Sequence, residues 1–261
     1  MQNSKSANLR KILTGYAAAA AYPVVFLGEV FSVVPQLHKR KREILYYLDL
    51  CGVKSLPVVV IISLLMGSII ALQGALQMRK VGAEIFIVDL VGFAVLKEFG
   101  PLMVAMISTG RAGSAFAAEI GTMKVNEEIY ALETMGVNPY GYLVHPKLAA
   151  MLIAMPFLTV FGDLCSILGG MMLSTSCLDI TLVAYWTRSV NILNGTIFML
   201  GIFKSAVFGI LITLAGCCCG FSSSGDAQGV GRGATTAVVS SIFLVVIADA
   251  VMTLLFSFIG Y

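Results

Sequence analysis

The stretch STGRAGSAFAAEIGTMKVNEEIYALETMGVNP, from Ser108 to Pro139, decides how the rest of the chain is organised. It passes from small apolar residues into a charged, amphipathic segment, and it ends at a glycine and a proline. The sequence on both sides is strongly apolar. We therefore expect a fold in which one charged helix interrupts a series of apolar segments.

The composition predicts a membrane protein. Of 261 residues, 58% are hydrophobic and 12% are charged, whereas charged residues make up about 25% of an average globular chain. The mean hydropathy is +0.92. A net charge of +3 is too small to indicate binding to nucleic acid, and we expect none.

The six cysteines do not indicate a metal site or a disulfide framework. No two have the Cys-x-x-Cys spacing of a zinc site, and no metal is expected. Cys217, Cys218 and Cys219 are consecutive within an apolar run. The favoured interpretation is that they are small residues of a membrane helix, and S-acylation is the alternative.

Five segments are long and apolar enough to span a bilayer core, which needs about 20 residues per helix. A sixth apolar stretch, Ile12 to Phe31, contains Pro23 and Glu29, which suit an interrupted helix lying in the membrane interface better than a span. We expect an all-α protein with an N-terminal interfacial and basic region at residues 1–55 and a five-span membrane domain at 56–261. The predicted spans are Leu56 to Met78, Gly92 to Ala118, Leu148 to Leu173, Thr196 to Gly220, and Thr236 to Ile259.

The distribution of Lys and Arg predicts the orientation. With five spans, eleven of these cations lie on one side and three on the other, so the positive-inside rule places the N-terminus in the cytoplasm and the C-terminus outside. The basic run HKRKRE, from His38 to Glu43, is explained most simply as an anchor to anionic lipid headgroups. The eleven are Lys5, Arg10, Lys11, Lys39, Arg40, Lys41, Arg42, Lys54, Lys124, Lys147 and Arg232, and the three are Arg79, Lys80 and Arg188.

Small residues recur at helical spacing before the charged segment. Gly113, Ala117 and Gly121 form one stripe, and Gly110 begins a second. Small residues at every fourth position let membrane helices approach closely. These four residues are therefore predicted to pack against another helix.

The charged segment from Glu119 to Met135 has the pattern of an amphipathic helix on the cytoplasmic side. Gly136 and Pro139 are predicted to end it. Helices that bind a membrane surface are usually basic, and this one is acidic, so its apolar stripe is expected to contact another protein. The stripe comprises Ile120, Met123, Ile129, Leu132 and Met135, and the polar side includes Lys124, Asn126, Glu127, Glu128 and Glu133.

The block from Leu96 to Lys147, LKEFGPLMVAMISTGRAGSAFAAEIGTMKVNEEIYALETMGVNPYGYLVHPK, resembles the signature of the MlaE/YrbE family. The resemblance continues in GSIIALQG (Gly67 to Gly74), in FKSAVFGILITLAGCCCGF (Phe203 to Phe221) and in GVGRGATTAVVSS (Gly229 to Ser241). The family consists of permease subunits of ABC transporters that move phospholipids in Gram-negative bacteria. The resemblance implies an ATP-driven permease of the inner membrane and no catalytic residue on this chain.

The resemblance also implies partners and site residues. It implies a homodimer, a cytoplasmic ATPase that carries ATP and Mg, a periplasmic MCE-domain protein with a membrane anchor, a small STAS-domain regulator, and phospholipid as cargo. No Gly-x-x-x-x-Gly-Lys-Ser/Thr phosphate loop occurs here, which agrees with a separate ATPase. The implied coupling helix, 119–135, would use Glu119, Ile120, Met123, Glu127, Glu128, Leu132, Met135 and Gly136, and the implied lipid cavity would use Ile70, Leu76, Met78, Val81, Lys97 and Glu98.

Ionisable residues inside the spans are candidates for function because burying them is costly. Lys97 and Glu98 precede Gly100-Pro101 in the second span, where Lys97 either meets a lipid phosphate or extends to the headgroups. Asp163, Lys204 and Asp249 lie one in each remaining span. We expect these three to neutralise one another, with an ion pair from Lys204 to Asp249 or Glu98.

Two other functions use the same carboxylates. A proton-coupled secondary transporter would relay protons through Glu98, Asp163 and Asp249, but the two halves show no internal repeat. An intramembrane aspartyl protease would need Asp163 and Asp249 to face each other. A proton relay gives no purpose to the acidic helix, and the Gly-x-Gly-Asp context of such a protease is absent, VFGD (Val160 to Asp163) being only a partial match.

Overall fold

The computed structural model describes residues 40–78, 80, 86–177, 180–192 and 195–258. Within these ranges the chain is helical and contains no strand, which confirms the all-α class. The predicted interfacial helix from Ile12 to Phe31, and Val81 of the predicted lipid site, lie outside the described residues.

Eight helices make up the described part of the chain. Five helical segments there are long and apolar enough to cross a membrane, which confirms the predicted number of spans. Helix α2 has the predicted bounds, whereas the other four spans begin before the predicted residue. Helix α5 has 39 residues and a length of about 58 Å. The helices are α1 (Lys41–Cys51), α2 (Leu56–Met78), α3 (Ile87–Val125), α4 (Glu128–Thr134), α5 (Pro139–Cys177), α6 (Leu182–Ile192), α7 (Gly195–Phe221) and α8 (Ala227–Phe258).

The bundle has a central layer of α3, α5 and α7. Large side chains from these three helices, including Phe116, Met155 and Phe208, are completely buried in one apolar core. Helix α2 packs on α5, and α8 packs on α7 and α3. The end that carries Arg40, Lys54 and α4 is called the basic end, and α6 lies at the opposite end, beside the start of α3.

Helices α2 and α5 cross with their backbones almost in contact. A Cβ on Gly67 would lie 1.8 Å from the carbonyl oxygen of Ser166, and a Cβ on Gly169 would lie 2.0 Å from that of Leu64. The hydroxyl of Ser166 donates to the carbonyl of Ser63 at 3.0 Å. Small residues and serine hydroxyls thus form the α2–α5 contact, as in close membrane helix pairs.

Three of the four residues predicted for helix packing lie against α7 and α8. A Cβ on Gly216 would lie 2.8 Å from the carbonyl oxygen of Gly113, Ala117 is buried, and Gly121 faces Ser223 and Val230. Gly110 differs, because a Cβ there would meet nothing within 4 Å. Gly110 therefore packs against none of the described helices.

The predicted single helix from Glu119 to Met135 is broken, and this prediction is wrong. Helix α3 ends at Val125, Glu127 adopts a left-handed conformation with φ of 61°, and α4 contains only Glu128–Thr134. A left-handed residue cannot continue a right-handed helix. The segment is therefore the last turns of α3 followed by a short, separate helix.

The end of α4 follows the prediction. Gly136 has a φ of +73°, and the N–H groups of Gly136 and Val137 donate to the carbonyls of Glu133 and Leu132, which is a Schellman motif. Pro139 then begins α5, where Asn138 accepts a hydrogen bond from the N–H of Tyr140. Proline is favoured at this first helical position.

Helix α8 begins at a carboxylate cap. Asp226 accepts hydrogen bonds from the Ser224 hydroxyl at 2.6 Å and from the Gly229 N–H at 3.1 Å. The Ser224 hydrogen bond is the main reason that the pKa of Asp226 lies below its ordinary value. This cap fixes the turn between α7 and α8 at the basic end.

The α2–α5 crossing predicts a strong effect of one methyl group. Gly169→Ala would place its Cβ against the Leu64 carbonyl and separate the helices, costing about 1–3 kcal/mol. The measurement is the thermal unfolding midpoint of the full-length protein in mild detergent. Gly110→Ala, where space is open, is the control, and equal midpoints for both variants would contradict the crossing.

Candidate functional site

Two π-helical turns interrupt α3, and they carry its charged residues near the middle. The first turn, Val95–Phe99, contains Lys97 and Glu98, and the second, Thr109–Gly113, contains Arg111. Such turns insert one extra residue into a helix and occur frequently at functional sites. The extra residue changes the direction in which the following side chains point.

Glu98 belongs to a polar cluster that joins α3, α7 and α8. The ammonium of Lys204 on α7 donates to Glu98 at 2.7 Å, to Asp249 at 2.9 Å and to the hydroxyl of Thr253 at 2.8 Å. Thr253 in turn donates to the carboxylate of Glu98. We call Glu98, Lys204, Asp249 and Thr253 the charge cluster.

The charge cluster is largely shielded from solvent, with Lys204 at its centre. The side chain of Lys204 is 1% exposed, whereas those of Asp249 and Glu98 are 15% and 30% exposed. All three ammonium N–H groups of Lys204 have partners. Two carboxylates, from α3 and α8, thus share one ammonium from α7.

Lys97 lies beside the charge cluster in sequence. Its ammonium stands 5.4 Å from the centre of the Phe93 ring, one turn earlier in α3, which is within cation–π range. Its side chain is partly exposed, as is that of Glu98. The first π turn thus presents a cation and a carboxylate at neighbouring positions.

The other predicted lipid residues lie on α2. Ile70 and Met78 pack against an apolar group from α3 that includes Ile87 and Val95. Leu76 is 62% exposed on the outer face of α2. Val95, which starts the first π turn, belongs to the same apolar cluster as Ile70 and Met78, whereas Leu76 faces away from the packed side.

Asp163 does not join the other buried charges, contrary to expectation. Its Oδ1 atom is buried without a hydrogen-bond partner among the described residues, and it lies where a Cβ on Gly100 would be, at 1.7 Å. The ion pairs of Lys204 are made instead with Glu98 and Asp249. Asp163 and Asp249 therefore do not form a facing pair of carboxylates.

At the basic end, α4 presents a mixed surface. Glu127, Glu128 and Met135 are exposed, and Met135 is 67% exposed. Leu132 is partly buried, and Ile129 is buried against the core. Tyr130, absent from the predicted set, is also exposed.

Three predicted coupling residues lie inside the bundle or in its contacts. Ile120 is completely buried in the core, so its assignment to an exposed stripe is wrong. Glu119 accepts hydrogen bonds from Tyr47 at 2.6 Å and from Lys147 at 3.1 Å. Met123 is partly buried against the same core. The break at Glu127 causes this, because the residues before it belong to α3.

Sequence reasoning missed the partners that these residues find. Lys147 is completely buried and bonds Tyr47 and Glu119, from α1 and α3. Thr253 lies four residues after Asp249, on the same side of α8. That spacing is a usable signal for Thr253, whereas no local pattern connects Lys147 to Glu119.

At the opposite end, α6 is fixed to α3 by an ion pair. Arg188 donates to both carboxylate oxygens of Asp89, at 2.8 Å and 2.6 Å, and lies 4.8 Å from the Phe86 ring. The hydrogen bond to Asp89 raises the pKa of the Arg188 guanidinium. This bidentate pair positions α6 over the beginning of α3.

Comparison with known proteins assigns the family. A probable ABC transporter permease protein of Rickettsia felis is 37% identical over 205 residues, covering 78% of this chain and 79% of that protein. The chloroplastic protein TRIGALACTOSYLDIACYLGLYCEROL 1 of Arabidopsis thaliana is 32% identical, covering 82% of this chain and 61% of that protein. The intermembrane phospholipid transport system permease protein MlaE of Haemophilus influenzae is 29% identical, covering 84% of each. Residues 44–255 match the family described as Permease MlaE, and the chain belongs to this family of permeases.

Proposed function

We propose that this chain is the membrane-spanning subunit of an ATP-driven phospholipid transporter. It would move lipid between the inner membrane and a periplasmic shuttle protein, and so contribute to the lipid asymmetry of the outer membrane. The observation that carries the proposal is the family match over residues 44–255. That range includes the whole charge cluster and all of α4.

The names of the relatives support both parts of the proposal. The Haemophilus influenzae relative is named for intermembrane phospholipid transport, and the Rickettsia felis relative is named as a probable ABC transporter permease. A permease of that class works with an ATPase, which would be a separate cytoplasmic subunit holding ATP and Mg. The chain would assemble as a homodimer with a periplasmic MCE-domain protein and a small STAS-domain regulator.

The proposed orientation places the basic end in the cytoplasm and the C-terminus in the periplasm. Arg40, Lys54 and Lys124 lie at the basic end, and Arg111 of α3 donates to the backbone carbonyl of Lys54. Cations concentrate on the cytoplasmic side of inner-membrane proteins. In this orientation α4 projects toward the ATPase.

Coupling would pass through α4 and the end of α3. The exposed residues of α4 and its C-cap, including Tyr130 and Met135, would dock in the ATPase. Ile129 and Leu132 would hold α4 on the bundle. Since α3 continues from this contact to both π turns, movement of α4 would reach the charge cluster through one continuous helix.

Lipid would bind at the first π turn. Lys97 would contact the phosphate, while Ile70 and Met78 would contribute apolar surface for acyl chains. The charge cluster would hold Glu98 in place beside it. A proton relay is less well supported, because Glu98 and Asp249 are both bound to Lys204.

Replacing Lys97 tests the lipid contact. Lys97→Met keeps the length of the side chain but removes the cation, so phospholipid retained after detergent exchange should fall by about tenfold, while the unfolding midpoint changes little. Retained lipid is measured by extraction and mass spectrometry. Lys80→Met, an exposed cation outside the first π turn, is the control. If Lys97→Met retained as much phospholipid as the wild type, the proposed phosphate contact would be wrong and Lys97 would instead extend to the headgroups.

Replacing Met135 tests the coupling surface. Met135→Asp puts a charge on the exposed face of α4 and should abolish co-purification of the ATPase, because a desolvated carboxylate opposes an apolar contact. Membrane insertion should persist, since Met135 is not in the core. Gln228→Asp, an exposed position at the same end, should leave the ATPase bound. Normal co-purification of the ATPase with Met135→Asp would contradict the proposal that this face of α4 contacts the ATPase.

A further inference from the structure

A pocket lined by charged side chains and tyrosines lies at the basic end, separate from the charge cluster. It has a volume of about 380 Å³ and lies between α1, the end of α3 and the start of α5. Its lining is mostly polar and aromatic, and includes Arg40, Arg42, Tyr46, Glu119 and Tyr142. We call it the basic-end pocket.

The floor of the basic-end pocket is a buried ion pair. Lys147, completely buried, donates to the Tyr47 hydroxyl at 2.9 Å and to Oε1 of Glu119 at 3.1 Å. The Tyr47 hydroxyl donates to the same Oε1 atom at 2.6 Å. Oε2 of Glu119 accepts no hydrogen bond from the described residues, and the side chain is 36% exposed. One oxygen of Glu119 is therefore fixed by the protein and the other remains available to a ligand.

Arg40 forms a preorganised cationic wall of the basic-end pocket. It bonds both carboxylate oxygens of Glu43 and the backbone carbonyl of Tyr142, and its guanidinium lies 3.6 Å from the centre of the Tyr142 ring. A guanidinium has five N–H donors, so these contacts with described residues use three and leave two. The carboxylate of Glu43, which also lines the pocket, occupies one edge of the guanidinium, and the two remaining donors are those that can bind the oxygens of a phosphate.

Arg42 adds a second cation to the same side. It is exposed and makes no ion pair with any described residue. Arg42 therefore retains its full charge and all its donors for a ligand. A phosphate between Arg40 and Arg42 would lie opposite the available oxygen of Glu119 across the pocket.

The pocket lies at the level expected for lipid headgroups. Leu45 and Tyr46, next to Arg42 on α1, are both at least 60% exposed. An apolar side chain, an aromatic ring and arginines together are typical of a helix at the boundary between acyl chains and headgroups. An acyl chain attached to a headgroup in the pocket could run along this exposed face.

We propose that the basic-end pocket binds the headgroup of an amino-phospholipid. The phosphate binds Arg40 and Arg42, and the primary ammonium donates to Oε2 of Glu119. This lipid stays bound in the leaflet at the basic end, where it joins α1 to the end of α3. It is separate from the lipid proposed to be carried at the first π turn.

The test compares lipids retained by the full-length protein from a mixed bilayer. The protein is reconstituted with equal amounts of phosphatidylethanolamine and phosphatidylcholine, extracted in mild detergent, and analysed by native mass spectrometry. Phosphatidylcholine has the same phosphate but a trimethylated nitrogen with no N–H donor. The variants are made in the Lys97→Met background, so that lipid bound at the first π turn contributes less to the signal. A wrong assignment of the site at the first π turn can then be distinguished from a wrong assignment of the basic-end pocket.

The proposal predicts that the protein retains more phosphatidylethanolamine than phosphatidylcholine. Arg42→Ala should reduce the affinity for phosphatidylethanolamine about tenfold, the effect of losing one charge-assisted contact. Lys41→Ala, a neighbouring exposed cation outside the pocket, should leave retention unchanged. Soluble glycerophosphoethanolamine in excess should displace the lipid if the headgroup alone is recognised. Equal retention of the two lipids, or equal effects of Arg42→Ala and Lys41→Ala, would overturn the proposal.

Discussion

The ammonium of Lys204 is the constraint on which the bundle depends. It is almost completely buried, and in a low-dielectric interior it is stable only with the two carboxylates of Glu98 and Asp249 and the hydroxyl of Thr253 around it. Those partners come from α3 and α8, so one side chain of α7 sets the register of three helices. The first π turn is part of this arrangement, because it contains Glu98. Lys97, the preceding residue, lies on the same turn, where we propose that it contacts the lipid phosphate.

The rest of the bundle is assembled by close backbone contact. Gly67 and Gly169 let α2 and α5 cross without side chains between them, while Gly113 and Gly216 do the same for α3 and α7. In a membrane this compensates for the absence of a hydrophobic driving force between helices. At the basic end, Lys147 repeats the principle of the charge cluster by joining α1, α3 and α5 through Tyr47 and Glu119. Charged side chains thus fix both the middle and the basic end of the bundle.

Hydropathy alone was enough to predict the five spans, because a bilayer core imposes a minimum apolar length on each helix. The lengths of the four spans other than α2 were underestimated. The α5 span was predicted to begin at Leu148, but the helix continues through Pro146, where a proline would ordinarily suggest a boundary. The break at Glu127 was also hidden, because glutamate favours helices and the apolar repeat continues across it. Contacts between distant residues, such as Lys147 with Glu119 or Gly67 with Ser166, leave no local pattern. The ion pair of Lys204 was predictable because a buried lysine requires a carboxylate. Asp163 was expected to join this pairing, but Lys204 pairs with Glu98 and Asp249 instead.

The most direct test of this account compares a variant that lacks only the cation of the charge cluster with a variant that lacks all its charges. Lys204→Met leaves Glu98 and Asp249 without their cation, and we expect it to lower the free energy of unfolding by about 3–5 kcal/mol. Adding Glu98→Gln and Asp249→Asn to the same chain removes the unpaired charges and should restore most of that loss. Both proteins are measured by thermal unfolding in the same detergent. A Lys204→Met protein as stable as the wild type, or a triple variant no more stable than the single one, would contradict the central place of this cluster.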